Sequence, residues 1–296
     1  MTQPVHLLVA TDLTALSRHA AHRAAMLAQQ QTQASLELLH VLETPMLAEL
    51  RRLLGHAEAD MEQRVEAQGR AAMQQLADEI AQQHGIHAQW HVTAGRVPAA
   101  ILEQARTSDA GMLIVGASSA AMLRQWVLGA TADRLLRATT RPILFVRQPP
   151  HEAYRRVLVP VDFSPCATAA LAHARAVAPA AQVLLMHVCA LAYEGKMRFA
   201  GVADTTVMQY RQQARRDAQA RLQALADAAG LASPQWTGVV TLGDPGRDIL
   251  TQQVELDADL IVMGKQGADK TRELLLGSVT QQVLGQAHCD LLVTPC

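Results

Sequence analysis

The chain has 296 residues, enough for two ordinary domains, each able to bury about 70% of its unfolded surface without a disulfide or metal staple. Its 26 Lys and Arg stand against 27 Asp and Glu, a formal charge of −1 that excludes the basic footprint of a nucleic-acid surface. No stretch approaches 18 uninterrupted apolar residues and no leader precedes the first strand, so neither a membrane partner nor export is expected. The four cysteines, Cys166, Cys189, Cys289 and Cys296, lack Cys-x-x-Cys spacing, which predicts reduced thiols in a cytoplasmic protein.

In chain order, short apolar runs alternate with alanine-rich stretches, the pattern of an open parallel sheet with helices on both faces. Strands are predicted at 6–10, 35–42, 87–92, 112–115 and 143–147, with helices over 15–30, 58–84, 97–107 and 128–139. The order then restarts, with strands at 156–161, 182–189, 235–241, 260–263 and 291–294. Over 209–229, Ala214, Ala218, Leu222, Leu225 and Ala229 fall at helical spacing and predict an amphipathic helix lying on the sheet.

Asp12 recurs as Asp162, 150 residues on; His40 and Val41 recur as His187 and Val188, 147 on; Gly116 and Gly129 recur as Gly264 and Gly277, 148 on. Offsets this steady mean a duplication. Pro149 and Pro150 close the first copy, giving domains at 1–148 and 153–296 joined by a short linker. Each copy departs from the alternation after its second strand, at 43–55 and 190–203, with unrelated sequences. Tolerated surface variation explains these segments more simply than separate ligand or partner preferences.

The stretch 259–278 reads D-L-I-V-M-G-K-Q-G-A-D-K-T-R-E-L-L-L-G-S: a buried strand, a glycine-punctuated loop and a helix start. Gly264, Gly267 and the pair Gly277–Ser278 form Gly-x-x-Gly, nine residues, Gly-Ser. Glycine lets backbone amides approach an anion with no Cβ in the way, Ser278 can cap the helix or bond a phosphate oxygen, and the helix adds about half a positive charge. Turns and caps use the same residues, so spacing alone does not separate a phosphate cradle from a structural loop. In an open parallel sheet ligands bind beyond the carboxyl ends of the strands where strand order reverses, which puts Asp162 and the Gly264 loop on either side of one crevice. Asp162 can accept hydrogen bonds from a ribose or an adenine amino group; its other reading is helix capping, which Ser164 ahead of Pro165 can also supply. Lys265 and Arg272 lie in the same loop, where cations are usually only solvated. No Gly-x-x-x-x-Gly-Lys-Ser/Thr sequence exists to make a P-loop.

Together, V-P-V-D-F-S at 159–164, M-H-V at 186–188, G-D-P at 243–245 and the glycine loop resemble the universal stress protein family, over nearly the whole chain, twice, with the second copy the closer match. The resemblance implies two tandem doubly wound, Rossmann-like α/β domains, each with a five-stranded parallel sheet, forming an intramolecular pseudo-dimer like that of single-domain members, which commonly dimerise through their fifth strands. It implies a stress-response protein that binds ATP or another adenine nucleotide, with or without Mg2+, as a regulatory ligand in the C-terminal domain. Pro160 and Val188 would line the adenine slot, Asp162 would sit near ribose and adenine, and Gly264, Gly267, Gly277, Ser278 and Val279 would hold ribose and phosphates. The first copy reads Gly116-Ala117-Ser118-Ser119, nine residues, Gly129-Ala130-Thr131, with Ser119 for the second glycine and Ala130 for the hydroxyl residue, so it is expected to bind ATP weakly or not at all.

No general base, nucleophile or metal cluster accompanies the glycine loop, so no catalytic residue is expected and ATP hydrolysis would be slow at most. A rival reading is a nucleotide-independent scaffold that meets an unknown protein partner through the divergent segments; a further homodimer is compatible with either. An adenylating enzyme is disfavoured, because Asp162-Phe163-Ser164-Pro165 stands where a Ser-Gly-Gly-x-Asp-Ser loop is usual. His84, His87 and His91 are close in sequence, but a helix end running into a strand gives no fixed metal-binding face. His40 and His187 are expected to be hydrogen-bonded structural residues.

Overall fold

A computed structural model describes residues 5–31, 34–44, 59–117, 130–190, 194–266 and 276–295. The chain divides into two units, Met1–Ala153 and Tyr154–Cys296.

In the first unit the elements are β1 (His6–Thr11), α1 (Ala15–Gln29), β2 (Ser35–Glu43), α2 (Ala59–His84), β3 (Gln89–Gly95), α3 (Val97–Thr107), β4 (Met112–Gly116), α4 (Ala130–Ala138) and β5 (Ile143–Val146). All pairs are parallel, in the order β3-β2-β1-β4-β5. The second unit repeats this with β6 (Arg156–Pro160), α5 (Pro165–Val177), β7 (Gln182–Cys189), α6 (Glu194–Phe199), α7 (Asp204–Ala228), β8 (Trp236–Leu242), α8 (Pro245–Glu255), β9 (Leu260–Gly264), α9 (Ser278–Gln286) and β10 (Asp290–Thr294). Its strand order is β10-β9-β6-β7-β8, again parallel. Strand order reverses beside β1 and beside β6, and right-handed crossovers leaving in opposite directions from there put helices on both faces.

The central strands are continuous apolar runs because both of their faces are covered: Leu7, Leu8 and Val9 in one unit, and Val157, Leu158 and Val159 in the other, are fully buried. The outer strands β3 and β8 are half exposed and mix polar with apolar residues. Alanine lets the first helix of each unit lie close to its sheet, through buried Ala20, Ala21, Ala24, Ala25 and Ala28 on α1 and Ala167, Ala170 and Ala174 on α5. Helix starts follow local chemistry. Ser164 Oγ accepts from the Ala167 amide at 3.4 Å ahead of Pro165-led α5, and the Asp244 carboxylate accepts from the Arg247 amide at 2.9 Å ahead of Pro245-led α8.

Three expectations need correction. The third strand begins at Gln89 rather than 87, leaving His87 exposed in the connection after Gly85, whose φ of +66° turns the chain out of α2. The segment 190–203 is partly regular, because α6 is fastened to α7 by the Glu194–Arg211 ion pair, and α7 itself starts at Asp204, with Val207 buried ahead of the predicted start. Cys189 and Cys289 are buried and in no disulfide, but Cys166 is disulfide-bonded; Cys-x-x-Cys spacing tests only near neighbours, whereas a disulfide needs proximity in space. Cys296 and most of 43–55 lie outside the described residues.

Candidate functional site

The chain leaves β6 through Val161 and Asp162 and turns at Phe163, a non-glycine residue at φ +62°. The turn is braced by Asp162, whose Oδ1 accepts from the Ser164 amide at 3.0 Å and from Ser164 Oγ at 2.6 Å. Capping therefore belongs to Ser164, and Asp162 stays exposed at the rim. The first unit makes the same turn: Leu13 has φ +65°, and Asp12 Oδ1 accepts from the Thr14 amide at 3.1 Å and Thr14 Oγ1 at 2.6 Å. Burial pushes the Asp12 carboxyl up, but hydrogen bonds from Thr14 and Ser17 outweigh it and hold the group below its ordinary 3.8. An aspartate at this place in both copies is thus a property of the turn before it is a property of any ligand.

The glycines separate in the same way. A Cβ on Gly116 would fall 2.6 Å from the Leu16 carbonyl oxygen, and one on Gly264 would fall 3.1 Å from both Cys166 Cβ and the Gln266 carbonyl oxygen. These two are demanded by the close approach of helix and strand. Gly277 is different. Its φ of −61° suits any residue, and a Cβ there would meet nothing nearer than 3.7 Å. Its amide donates to the Lys265 carbonyl at 3.1 Å, which anchors the loop without needing glycine. Gly277 is the N-cap of α9 and Ser278 its first helical residue, so Ser278 does not cap the helix as its position suggested; its side chain lies exposed at the positive end of the helix. One turn in, buried Thr280 donates to the Gly264 carbonyl at 3.1 Å and ties the root of the loop to the helix. The sequence reading missed Thr280, whose signal is a hydroxyl placed three residues beyond the glycine.

Pro160, Asp162, Val188, Gly264, Gly277, Ser278 and Val279 line one cavity of about 440 Å³ beyond the carboxyl ends of β6, β7 and β9. That size falls within the ~300–1,000 Å³ of small-molecule sites. Gly267 and Arg272 lie outside the described residues, and Lys265 is not part of the wall. The floor is apolar, from Met186, Ile249 and Met263, and it gives way to carboxylate, amide and helix N-terminus at the rim. A flat base over the floor with an anionic tail toward α9 fits this gradient. Met186 and Met263 escaped the sequence reading because a buried strand reads alike along its length, whichever end opens, and Ile249 because it reaches the cavity from α8, through packing that no local pattern announces.

His187 also borders the cavity, with Nδ1 hydrogen-bonded to the Val161 carbonyl at 2.8 Å and its ring 4.5 Å from that of Phe163. His40 makes the equivalent bond to the Thr11 carbonyl at 2.8 Å, so this histidine ties the second strand to the first in both units. Arg221 reaches from α7 to within 3.9 Å of the Phe163 ring centroid, a cation–π contact that backs the strained turn. His84, His87 and His91 diverge: His84 meets His22 on α1, His91 meets Glu37 on β2, and His87 faces solvent. Among the described residues no three His, Cys, Asp or Glu side chains are placed to hold a metal ion, and no helix is long and apolar enough to cross a membrane.

Two units of identical strand order, each with its Asp-centred turn, and a glycine-rimmed cavity at the reversal point of the second set out what a family profile has to match. The profile described as the universal stress protein family matches residues 5–147 and again 153–295. The chain belongs to the universal stress protein family. It is 30% identical over 143 residues to a universal stress protein of Thermus aquaticus, a span of 47% of this chain and 98% of that one. With a universal stress protein of Synechocystis sp. it shares 39% identity over 54 residues, 18% of this chain and 35% of that one. The crystal structure of a universal stress protein from Archaeoglobus fulgidus superimposes with a TM-score of 0.74 at 19% identity, covering 99% of both chains. This universal stress protein is therefore an α/β protein of two tandem Rossmann-like domains.

Proposed function

We propose that the C-terminal domain binds ATP or another adenine nucleotide as a regulatory ligand, with the base between Pro160, Val188 and Asp162 and the phosphates at Gly264, Gly267, Gly277, Ser278 and Val279. The observation that carries this reading is Gly277, a glycine that neither backbone angle nor packing requires, set against an exposed serine at the start of a helix on the cavity rim. Mg2+ would arrive with the phosphates, since no described cluster of side chains offers it a site of its own. The N-terminal domain, 1–148, carries Ser119 and Ala130 at the corresponding positions and contributes no second site of equal strength.

Calorimetric titration with ATP tests this directly. Gly277→Ala should weaken binding at least tenfold while costing no more than about 1 kcal/mol of stability, the penalty of alanine for glycine at an N-cap, because the new methyl group stands on the cavity rim in only ordinary contact with the protein. Gly277→Asp should abolish binding by adding a negative charge. Absence of binding by the unaltered protein at millimolar ATP overturns the proposal.

A second reading rests on Phe199, which is 96% exposed on α6 within the divergent segment 190–203. An aromatic side chain held in water suits a partner-binding surface, and this function would need no nucleotide. Mass spectrometry of the denatured protein as purified separates the two readings: bound adenine nucleotide supports the first, and its absence together with a failed titration supports the second.

A further inference from the structure

The opposite end of the first unit's sheet holds a polar chain that the nucleotide reading does not use. His6 opens β1 and Ser35 opens β2, and the two residues are in register. Ser35 Oγ lies 2.6 Å from His6 Nδ1, and His6 Nε2 lies 2.7 Å from Glu37 Oε2. The Glu37 carboxylate is 2% exposed, and its other oxygen accepts from Gln104 on α3 at 2.5 Å and faces His91 Nε2 at 3.3 Å. A carboxylate only accepts, so the hydrogen on His6 is placed on Nε2, and Nδ1 is left with its lone pair on the serine hydroxyl. Nucleophile, base and orienting carboxylate thus stand within hydrogen-bond reach in sequence, with the carboxylate buried and the serine exposed.

The duplication supplies an internal control. In the second unit the same register pairs Arg156 with Gln182 and Leu158 with Leu184, where the first unit pairs His6 with Ser35 and Leu8 with Glu37. The fold therefore accepts leucine at the place where the first unit buries an acid, and burying a carboxylate is costly unless it is paired. All three members of the chain are present in one copy and all three are absent from the other.

We propose that Ser35 is an activated nucleophile that takes acyl groups from small reactive esters at this exposed end of the sheet. Ser35 Oγ attacks the ester carbonyl and its proton passes to His6 Nδ1; the tetrahedral adduct expels the alkoxide, which takes that proton back from His6 and leaves as the alcohol. The acyl-serine is then hydrolysed by water, which gives a proton to His6 Nδ1 as it attacks and from which Ser35 regains its hydrogen. Ser35 and His6 touch the reacting atoms; Glu37 and Gln104 position the imidazole.

The test uses the full chain with p-nitrophenyl acetate and a fluorophosphonate probe, followed by peptide mass spectrometry. Acetyl and phosphonyl groups should appear on Ser35, and His6→Gln should slow both at least about 100-fold, the lower range for general-base assistance. Glu37→Leu, which installs the residue of the second unit, should slow labelling while the far-ultraviolet circular dichroism stays unchanged. A readout independent of folding comes from Ser35→Cys, whose thiol should react with iodoacetamide faster than the same thiol in the Ser35→Cys, His6→Gln protein. Labelling confined to other residues, or equal thiol reactivity with and without His6, overturns the proposal.

Discussion

A glycine is kept in this fold for one of two reasons, and Gly264 and Gly277 separate them. At Gly264 an added methyl meets the Gln266 carbonyl oxygen and Cys166 Cβ at 3.1 Å, and at Gly116 it meets the backbone of Leu16 at 2.6 Å, where nothing flexible can give way. Alanine at either place should destabilise its unit by about 1–3 kcal/mol, the usual cost of overpacking, with the larger loss at Gly116. Alanine at Gly277 should cost less, about 0.5–1 kcal/mol, the penalty of alanine for glycine at an N-cap with no clash added. Urea denaturation of the three variants checks this order, and a Gly277→Ala protein destabilised as much as the Gly116 variant would return that glycine to the class of structural residues. In the sequence these glycines are the same letter at the same spacing. What distinguishes them is the path of α1 and α5 against the strand ends, which spacing within one loop does not contain. The turn at Asp162 was legible because Ser164 and Pro165 beside it announce the cap, which Ser164 supplies; the bond from Thr280 to Gly264 was not, since it depends on where α9 starts.

Most of the regular elements were legible because each is specified by its own residues: apolar runs bounded by glycine or proline for the central strands, alanine stripes for α1 and α5. β3 drifted by two residues because a half-exposed outer strand carries a weak apolar signal, and α6 was missed because a six-residue helix is held by the contact of Glu194 with Arg211 and not by a pattern of its own. The contact between α1 and α2 was likewise invisible, since His22 and His84 are 62 residues apart, with Nδ1 and Nε2 at 3.1 Å. Burial lowers both groups from their ordinary 6.5, and for His22 the neighbouring His84, His19 and Arg18 lower it further against an opposing pull from Glu79. A histidine whose folded value is depressed binds its proton more readily in the unfolded chain. The stability of this contact is therefore complete above pH 6.5 and declines as pH falls below it. The urea midpoint should fall between pH 7.5 and pH 5.5, and His84→Gln should flatten the fall by removing one titrating partner; an unchanged slope in that variant would place the acid sensitivity elsewhere.

At the scale of the molecule, duplication gives two copies of one scaffold, and function has to be sought in what only one copy carries. The constant offsets made the repeat legible, because gene-length similarity survives in sequence even where single contacts do not. Features shared by both copies, such as the histidine bond from β2 to β1 and the Asp-centred turn, belong to the fold. Features confined to one copy are the glycine at 267 with the serine at 278 in the second, and the Ser35–His6–Glu37 chain in the first. Ligand binding should therefore act on the units unequally. A ligand that binds only the folded second unit stabilises it by RT ln(1 + [L]/Kd), about 2.7 kcal/mol at one hundred times Kd, and does nothing for sites it does not touch. Hydrogen–deuterium exchange with saturating ATP should slow in peptides covering β6, β7, β9 and the start of α9, while peptides of β1, β2 and β4 exchange as before. Equal protection in both units would mean that the first copy binds as well, and that Ser119 and Ala130 do not close its site.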